Sequence, residues 1–165
     1  MILSTHMVIG AAAASLFPRY PEVGFLAAFG SHFIADAIPH WHYHLNSMVH
    51  YKDNPLHDDM TIGKNFIFDM GKIGIDCVIG FLAALLIFGP TPAFFVGIVG
   101  GMFPDFLQFV YWKMRREPLT SLQRFHKWVH AKTRLDSRPF LGISSQIAII
   151  MFFPLVAKTI DLFAQ

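Results

Sequence analysis

From Pro139 to Ala157, 19 residues pass without a charge, and Cys77 to Phe88 is equally bare. A run of that length approaches the roughly 20 apolar residues that carry a helix across a bilayer, and no other feature limits the fold as tightly. The rest of the chain agrees. It is 54% apolar and only 15% charged, against about 25% charged in ordinary soluble domains, with a mean hydropathy of +0.46. A soluble domain of 165 residues, 18 of them Phe, lacks the polar surface to cover such a core. The reading is an integral membrane protein forming one domain over residues 1–165. Its single cysteine, Cys77, excludes an internal disulfide.

Punctuation divides the chain into helices. A first apolar stretch, Ile2 to Phe17, stops at Pro18-Arg19-Tyr20-Pro21, and a second, Glu22 to Ile38, stops at Pro39. Both are short for a span and suit an antiparallel hairpin partly buried by its neighbours. No Lys or Arg precedes the first stretch, so a cleaved leader is not expected and His6 is retained. A histidine-rich polar segment leads to a third helix, Lys64 to Phe88. After the turn Gly89-Pro90-Thr91-Pro92, a fourth runs from Pro92 to Met114, with breaks expected at Gly100-Gly101 and Pro104. Leu119 to Arg134 reads as an amphipathic helix. Leu122, Phe125, Trp128 and Val129 recur at helical spacing with Arg124, Lys127 and Lys132 between them, a pattern suited to an anionic membrane surface. The expected fold is all-α, a polytopic membrane bundle of about five membrane helices plus one basic amphipathic interfacial helix.

Of the 13 Lys and Arg residues, only Arg19 and Lys158 fall opposite the loops around Pro39–Lys72 and Lys113–Arg138. The positive-inside rule makes the loop side cytoplasmic, in a bacterial or archaeal cytoplasmic membrane. The same rule accounts for the basic cluster. With a net charge of only +2, no specific nucleic-acid partner is expected, whereas membrane lipids are.

The residues able to bind a metal gather on that side. His32 and Asp36 are four apart on one helix face, so imidazole and carboxylate can share an ion. Their apolar surroundings strengthen the reading, because ionisable groups inside a membrane are expensive. His126 and His130 repeat the spacing on the amphipathic helix, without the glutamate that metalloproteases place between them. Asp105 follows Pro104, where it either points into a shared cavity or caps a broken helix. His6 is either a ligand or an interfacial histidine. Among the loop histidines His40, His42 and His44, only His40 is placed near the site, four residues beyond Asp36. Asp69 and Asp76 serve as nearby carboxylates or pair with Lys72, while Gln108 and Gln146 suit interhelical hydrogen bonds. Arg115, Arg116 and Arg124 could grip a phosphate or simply mark the cytoplasmic side.

The order Thr5-His6-Met7-Val8-Ile9-Gly10, then His32 to Asp36, then Pro104-Asp105, then paired histidines resembles membrane-bound metal-dependent hydrolases. That group includes the LexA-regulated inner-membrane hydrolase-like proteins. More remotely, the chain is similar to zinc-dependent phospholipase C and single-strand nucleases. The resemblance implies metal ligands at His6, His32, Asp36, Asp105, His126 and His130, with Asp36 and Asp105 the candidates for a catalytic role. It departs from the membrane group at His126-Lys127-Trp128-Val129-His130-Ala131, where that group often shows His-Arg followed by Thr-His-Ser. The implied activity is hydrolysis of a phosphoester or phospholipid-like substrate using zinc or manganese. The alternative is a non-catalytic membrane protein that holds or transports a metal ion.

Overall fold

The computed structural model describes residues 1–133 and 135–163, and these form six α-helices. Arg134, at the far end of the expected amphipathic helix, lies outside the described residues. The helices are α1 (Leu3–Ser15), α2 (Pro21–Asp36), α3 (Lys64–Phe88), α4 (Pro92–Met114), α5 (Leu119–Val129) and α6 (Pro139–Phe163). The polar segment after α2 holds one short antiparallel pair, Met48–Val49 with Asp59–Met60.

α1 is the centre of the bundle, and α2, α3, α4 and α6 all pack against it. Its sequence is apolar or small on every side, as a helix surrounded by protein requires. Its 13 residues span only about 20 Å, less than a bilayer core, but it is enclosed by longer helices. α3, α4 and the Pro139–Ile160 part of α6 are each long and apolar enough to cross a membrane. Their outer faces are apolar and uncovered: Leu86 is 87% exposed, Phe140 85% and Met151 70%. The interior holds polar side chains such as His6, His32 and Asp36 beside an apolar core around Val8, Ile9 and Phe94. Large apolar outer faces of this kind suit helices long enough to cross a membrane.

Glycines bring α4 close enough to its neighbours for backbone contact. A Cβ on Gly97 would stand 2.6 Å from Ala11 Cα, and one on Gly101 would overlap the His6 carbonyl oxygen. On the adjoining face, a Cβ on Gly100 would meet Ala28 Cβ at 2.8 Å. Gly97 and Gly101 thus form a small-xxx-small face towards α1, while Gly100 receives α2. The expected break in α4 does not occur: the helix runs unbroken through Gly100-Gly101 and Pro104. Pro104 removes one backbone donor, a loss that tight packing against α1 and α2 accommodates.

Other boundaries differ from expectation in instructive ways. α5 ends at Val129, and His130 is extended, with φ −57° and ψ 133°. Ala131 N–H donates to the Asp36 carbonyl at 2.8 Å instead of continuing the helix. His130 is thus the cap rather than part of the helix, yet its ring still stacks on that of His126, with centroids 6.1 Å apart, and both face Asp36. α6 continues past Ala157 to Phe163. α5 also turns the opposite way from a simple core-facing helix: Gln123 and His126 are buried, while Phe125 is 43% and Trp128 77% exposed.

Candidate metal centre

Asp36 is the hub of the site. It closes α2, one turn beyond His32, and the two are 1% and 0% exposed. Burying a carboxylate is costly unless it is closely partnered, and here it is surrounded. Oδ2 lies 2.8 Å from His126 Nε2, 3.2 Å from His32 Nε2 and 3.9 Å from His130 Nε2. Oδ1 lies 3.2 Å from His6 Nε2, 3.7 Å from His40 Nε2 and 2.9 Å from the Met1 amino group.

The tautomer of His32 follows from its other nitrogen. Nδ1 lies 2.8 Å from the Gly101 carbonyl oxygen. A carbonyl can only accept, so Nδ1 carries a proton, and Nε2 is the ring nitrogen that would be free to ligate when His32 is neutral. That nitrogen faces Asp36 Oδ2, His126 Nε2 at 3.3 Å and Asp105 Oδ1 at 3.6 Å. Nitrogens and carboxylate oxygens converging this closely in a buried place need positive charge among them, which a ring proton or a bound ion can supply. A second-sphere carbonyl holding the distal N–H is also the usual support of a metal-binding histidine.

The spacing fits an ion. Ligand atoms at ordinary zinc distances in a tetrahedral array stand about 3.3–3.4 Å apart. The contacts of His32 Nε2 with Asp36, His126 and Asp105 measure 3.2, 3.3 and 3.6 Å, while His126 Nε2 and Asp36 Oδ2 stand at 2.8 Å, a hydrogen bond that an ion would replace. All four ligand atoms lie within 4.8 Å of one another. Asp105 comes from α4, one turn below Gly101, so the glycine-mediated helix contacts set its distance from α2. Its side chain is 29% exposed, the most open of the four.

His6 completes the wall from α1. Its ring stacks on His32 with centroids 3.8 Å apart. It is 1% exposed, and neither ring nitrogen has a hydrogen-bond partner among the described residues. Nε2 is within charge-pairing distance of Asp36 Oδ1 but not aligned for a hydrogen bond. Two unsatisfied nitrogens at a buried site are expensive; an ion coordinated by Nε2 would relieve one of them.

A second group of imidazoles adjoins the first. His40, His42 and His130 offer nitrogens within 4.8 Å of one another. Backbone bonds bring them together: Ala131 N–H donates to the Asp36 carbonyl and Leu135 N–H to the His40 carbonyl, at 2.8 and 3.2 Å. The segment after α5 is thereby laid along the segment after α2. Burial pushes the pKa of His40 down to about 3 and that of His42 down to about 4, and also lowers that of His130. Each of these shifts favours the neutral ring that ligation requires.

Of the sequence-derived ligands, the fold gathers His6, His32, Asp36, Asp105 and His126 directly, with His130 at the margin beside His40. Sequence places only His40 of the loop histidines near the site, yet His42 joins it. The available signal was the His40-Trp41-His42 alternation, which puts both imidazoles on one side of an extended chain. Trp41 turns towards Gly142 of α6, and its carbonyl accepts from Gln146 Nε2 at 3.0 Å. Gln146 Oε1 accepts from Thr5 of α1, and Gln108 of α4 donates to Gln123 of α5, so both glutamines bridge helices.

Asp69 and Asp76 lie outside both groups. Asp69 accepts from Ser47 N–H and Oγ, each at 2.7 Å, and pairs with Lys72, anchoring the polar segment to α3. Asp76 accepts from Ser4 N–H at the start of α1. Arg115 donates to the His57 carbonyl at 3.0 Å, while Arg116 and Arg124 are exposed. No family model matches this chain, and no curated protein or solved structure does either.

Proposed function

We propose that the chain is a metal-dependent hydrolase working at the cytoplasmic face of a membrane on a phosphoester or phospholipid-like substrate. The observation that carries this reading is the convergence of His32 Nε2, His126 Nε2, Asp36 and Asp105, each offering a ligand atom within 4.8 Å of the others. His32, Asp36, Asp105 and His126 hold the ion, with His6 close enough to join them. The donor set of imidazole and carboxylate suits zinc or manganese. A bound ion would polarise a phosphoryl oxygen and make water acidic enough to react near neutral pH.

The residues divide the remaining work by exposure. Asp36, buried and contacted on both oxygens, serves as ligand. Asp105 is the reachable carboxylate, suited to taking a proton from the attacking water. Arg116 and Arg124, exposed on the same basic side, would attract a phosphate, with Arg115 supporting them from the end of α4. In this reading α1 and α2 join the three longer helices as membrane helices, and α5 lies in the interface. Its outward Phe125 and Trp128 face the headgroup boundary, while His126 points into the site. The resemblance to LexA-regulated inner-membrane hydrolase-like proteins points the same way.

A carrier would need polar groups along a path across the bilayer, but the ionisable side chains crowd one end of the bundle, which favours a fixed site. The test is hydrolysis by detergent-purified protein loaded with zinc or manganese, against aryl phosphodiesters and short-chain phospholipids. Turnover that falls at least 100-fold in Asp105→Asn, with the metal retained, supports the reading. A fully loaded protein without turnover on any of these substrates would leave a structural metal instead.

A further inference from the structure

We infer that His40, His42 and His130 form a second cation site that shares Asp36 with the first, so that the centre holds two ions. This rests on the reading that the buried His32 cluster binds metal. His40 Nε2 and His42 Nε2 stand 2.9 Å apart. The opposite nitrogens are both committed as donors: His40 Nδ1–H to the Ile38 carbonyl, and His42 Nδ1–H to Asp136 Oδ1 at 3.3 Å. In the neutral rings both facing Nε2 atoms are then acceptors. The positive charge beside them is the Met1 ammonium, 3.4 Å from His42 Nε2 and 2.9 Å from Asp36 Oδ1, whose place a second ion would take. A proton shared between them would serve that pair alone. An ion there could also reach His130, whose ring centroid lies 4.9 Å from that of His40 and 5.3 Å from that of His42.

The surroundings also separate this site from the first. His42 and His130 are 29% and 24% exposed, so an ion can enter from solvent, whereas His32 and Asp36 are closed off. Three imidazoles leave a fourth position open, and the carboxylate facing their Nε2 atoms is Asp36, with Oδ1 3.7 Å from His40 Nε2 and Oδ2 3.9 Å from His130 Nε2. Asp136 holds His42 twice, accepting from its backbone N–H at 3.0 Å and from Nδ1. It is the supporting carboxylate a ligating histidine characteristically has. An imidazole-only trio selects zinc or cobalt over magnesium or calcium.

The test is metal stoichiometry of full-length protein in detergent, titrated with zinc and separately with cobalt. Wild type should take up two ions per chain, His42→Phe one, and Asp136→Asn two, with the second bound 10–100-fold more weakly. Cobalt should give two resolvable visible spectra, and His42→Phe should lose only one. A wild type that saturates at one ion, unaffected by His42→Phe, would overturn the second site while leaving the hydrolase reading intact. A wild type that binds none would overturn both. Should His42→Phe not fold, Asp136→Asn decides: an unchanged affinity for both ions contradicts the inference.

Discussion

Gly101→Ala perturbs the site without touching a ligand. The added Cβ would overlap the His6 carbonyl oxygen, and the Gly10 backbone stands behind it at 3.3 Å. Both obstacles are main chain, so no rotamer change relieves the clash, and α1 and α4 must part by about 1 Å to restore ordinary contact. Overpacking of this kind costs about 1–3 kcal/mol. Replacing a helical glycine by alanine returns about 1 kcal/mol of propensity. With backbone on both sides the cost lies near the upper limit, so the net loss is about 2 kcal/mol, or roughly 30-fold in the unfolding equilibrium. Gly74→Ala on α3 is the control, since nothing lies within 4 Å of its added Cβ; it should be neutral or stabilising by up to about 1 kcal/mol. The assay is thermal unfolding in detergent, followed by zinc titration. Because Gly101 also holds His32 through its carbonyl, Gly101→Ala should weaken zinc binding, whereas Gly74→Ala should not. Equal stability of the two variants would refute the proposed α1–α4 contact.

Further outcomes follow from other parts of the structure. Chelation should lower the unfolding midpoint and zinc should restore it, with about 2.7 kcal/mol gained at a hundredfold excess over the dissociation constant; a midpoint indifferent to chelator contradicts a ligated site. Asp58 accepts from Lys127 and from Tyr51 N–H, each at 2.9 Å, tying the polar segment to α5. Burial raises its pKa, but those bonds outweigh it and hold the group below its usual 3.8. Their contribution is thus complete above about pH 4 and fades as pH falls below it. Asp58→Asn should cost about 1 kcal/mol between pH 5 and 8, screened by the partly exposed Lys127, and the gap to wild type should narrow below pH 4; a constant gap would refute the assignment. With Trp41 and Trp112 replaced by Phe, Trp128 fluorescence should be quenched more by lipids brominated near the headgroup than at the chain ends. The reverse order, or no quenching, would count against an interfacial α5.

Local chemistry made much of this fold legible. The bounds of α3 and α4 follow from Gly89-Pro90-Thr91-Pro92, where Thr91 caps α4 by accepting from Phe94 N–H. The four-residue step from His32 to Asp36 revealed the pair because helix geometry alone determines which face they share. What escaped depends on distant partners. Nothing near His130 says that Ala131 will bond to the Asp36 carbonyl, so local sequence extends the helix to Arg134 and places His42 in solvent. Pro104 looked like a break because its local penalty is visible, while the packing that absorbs it comes from α1 and α2. The spacing along α5 was readable but its orientation was not: His126 points inward to Asp36, and that turns Phe125 and Trp128 outward.

The measurement that tests the central claim most directly is the metal content of purified wild type beside the His32→Ala/Asp36→Ala double variant, by elemental mass spectrometry. Wild type should carry stoichiometric zinc or manganese, and the double variant should carry none in the buried cluster while still incorporating into membranes. A wild type that stays metal-free after incubation with both ions would contradict the account. The converging nitrogens and carboxylates would then be held by protons alone.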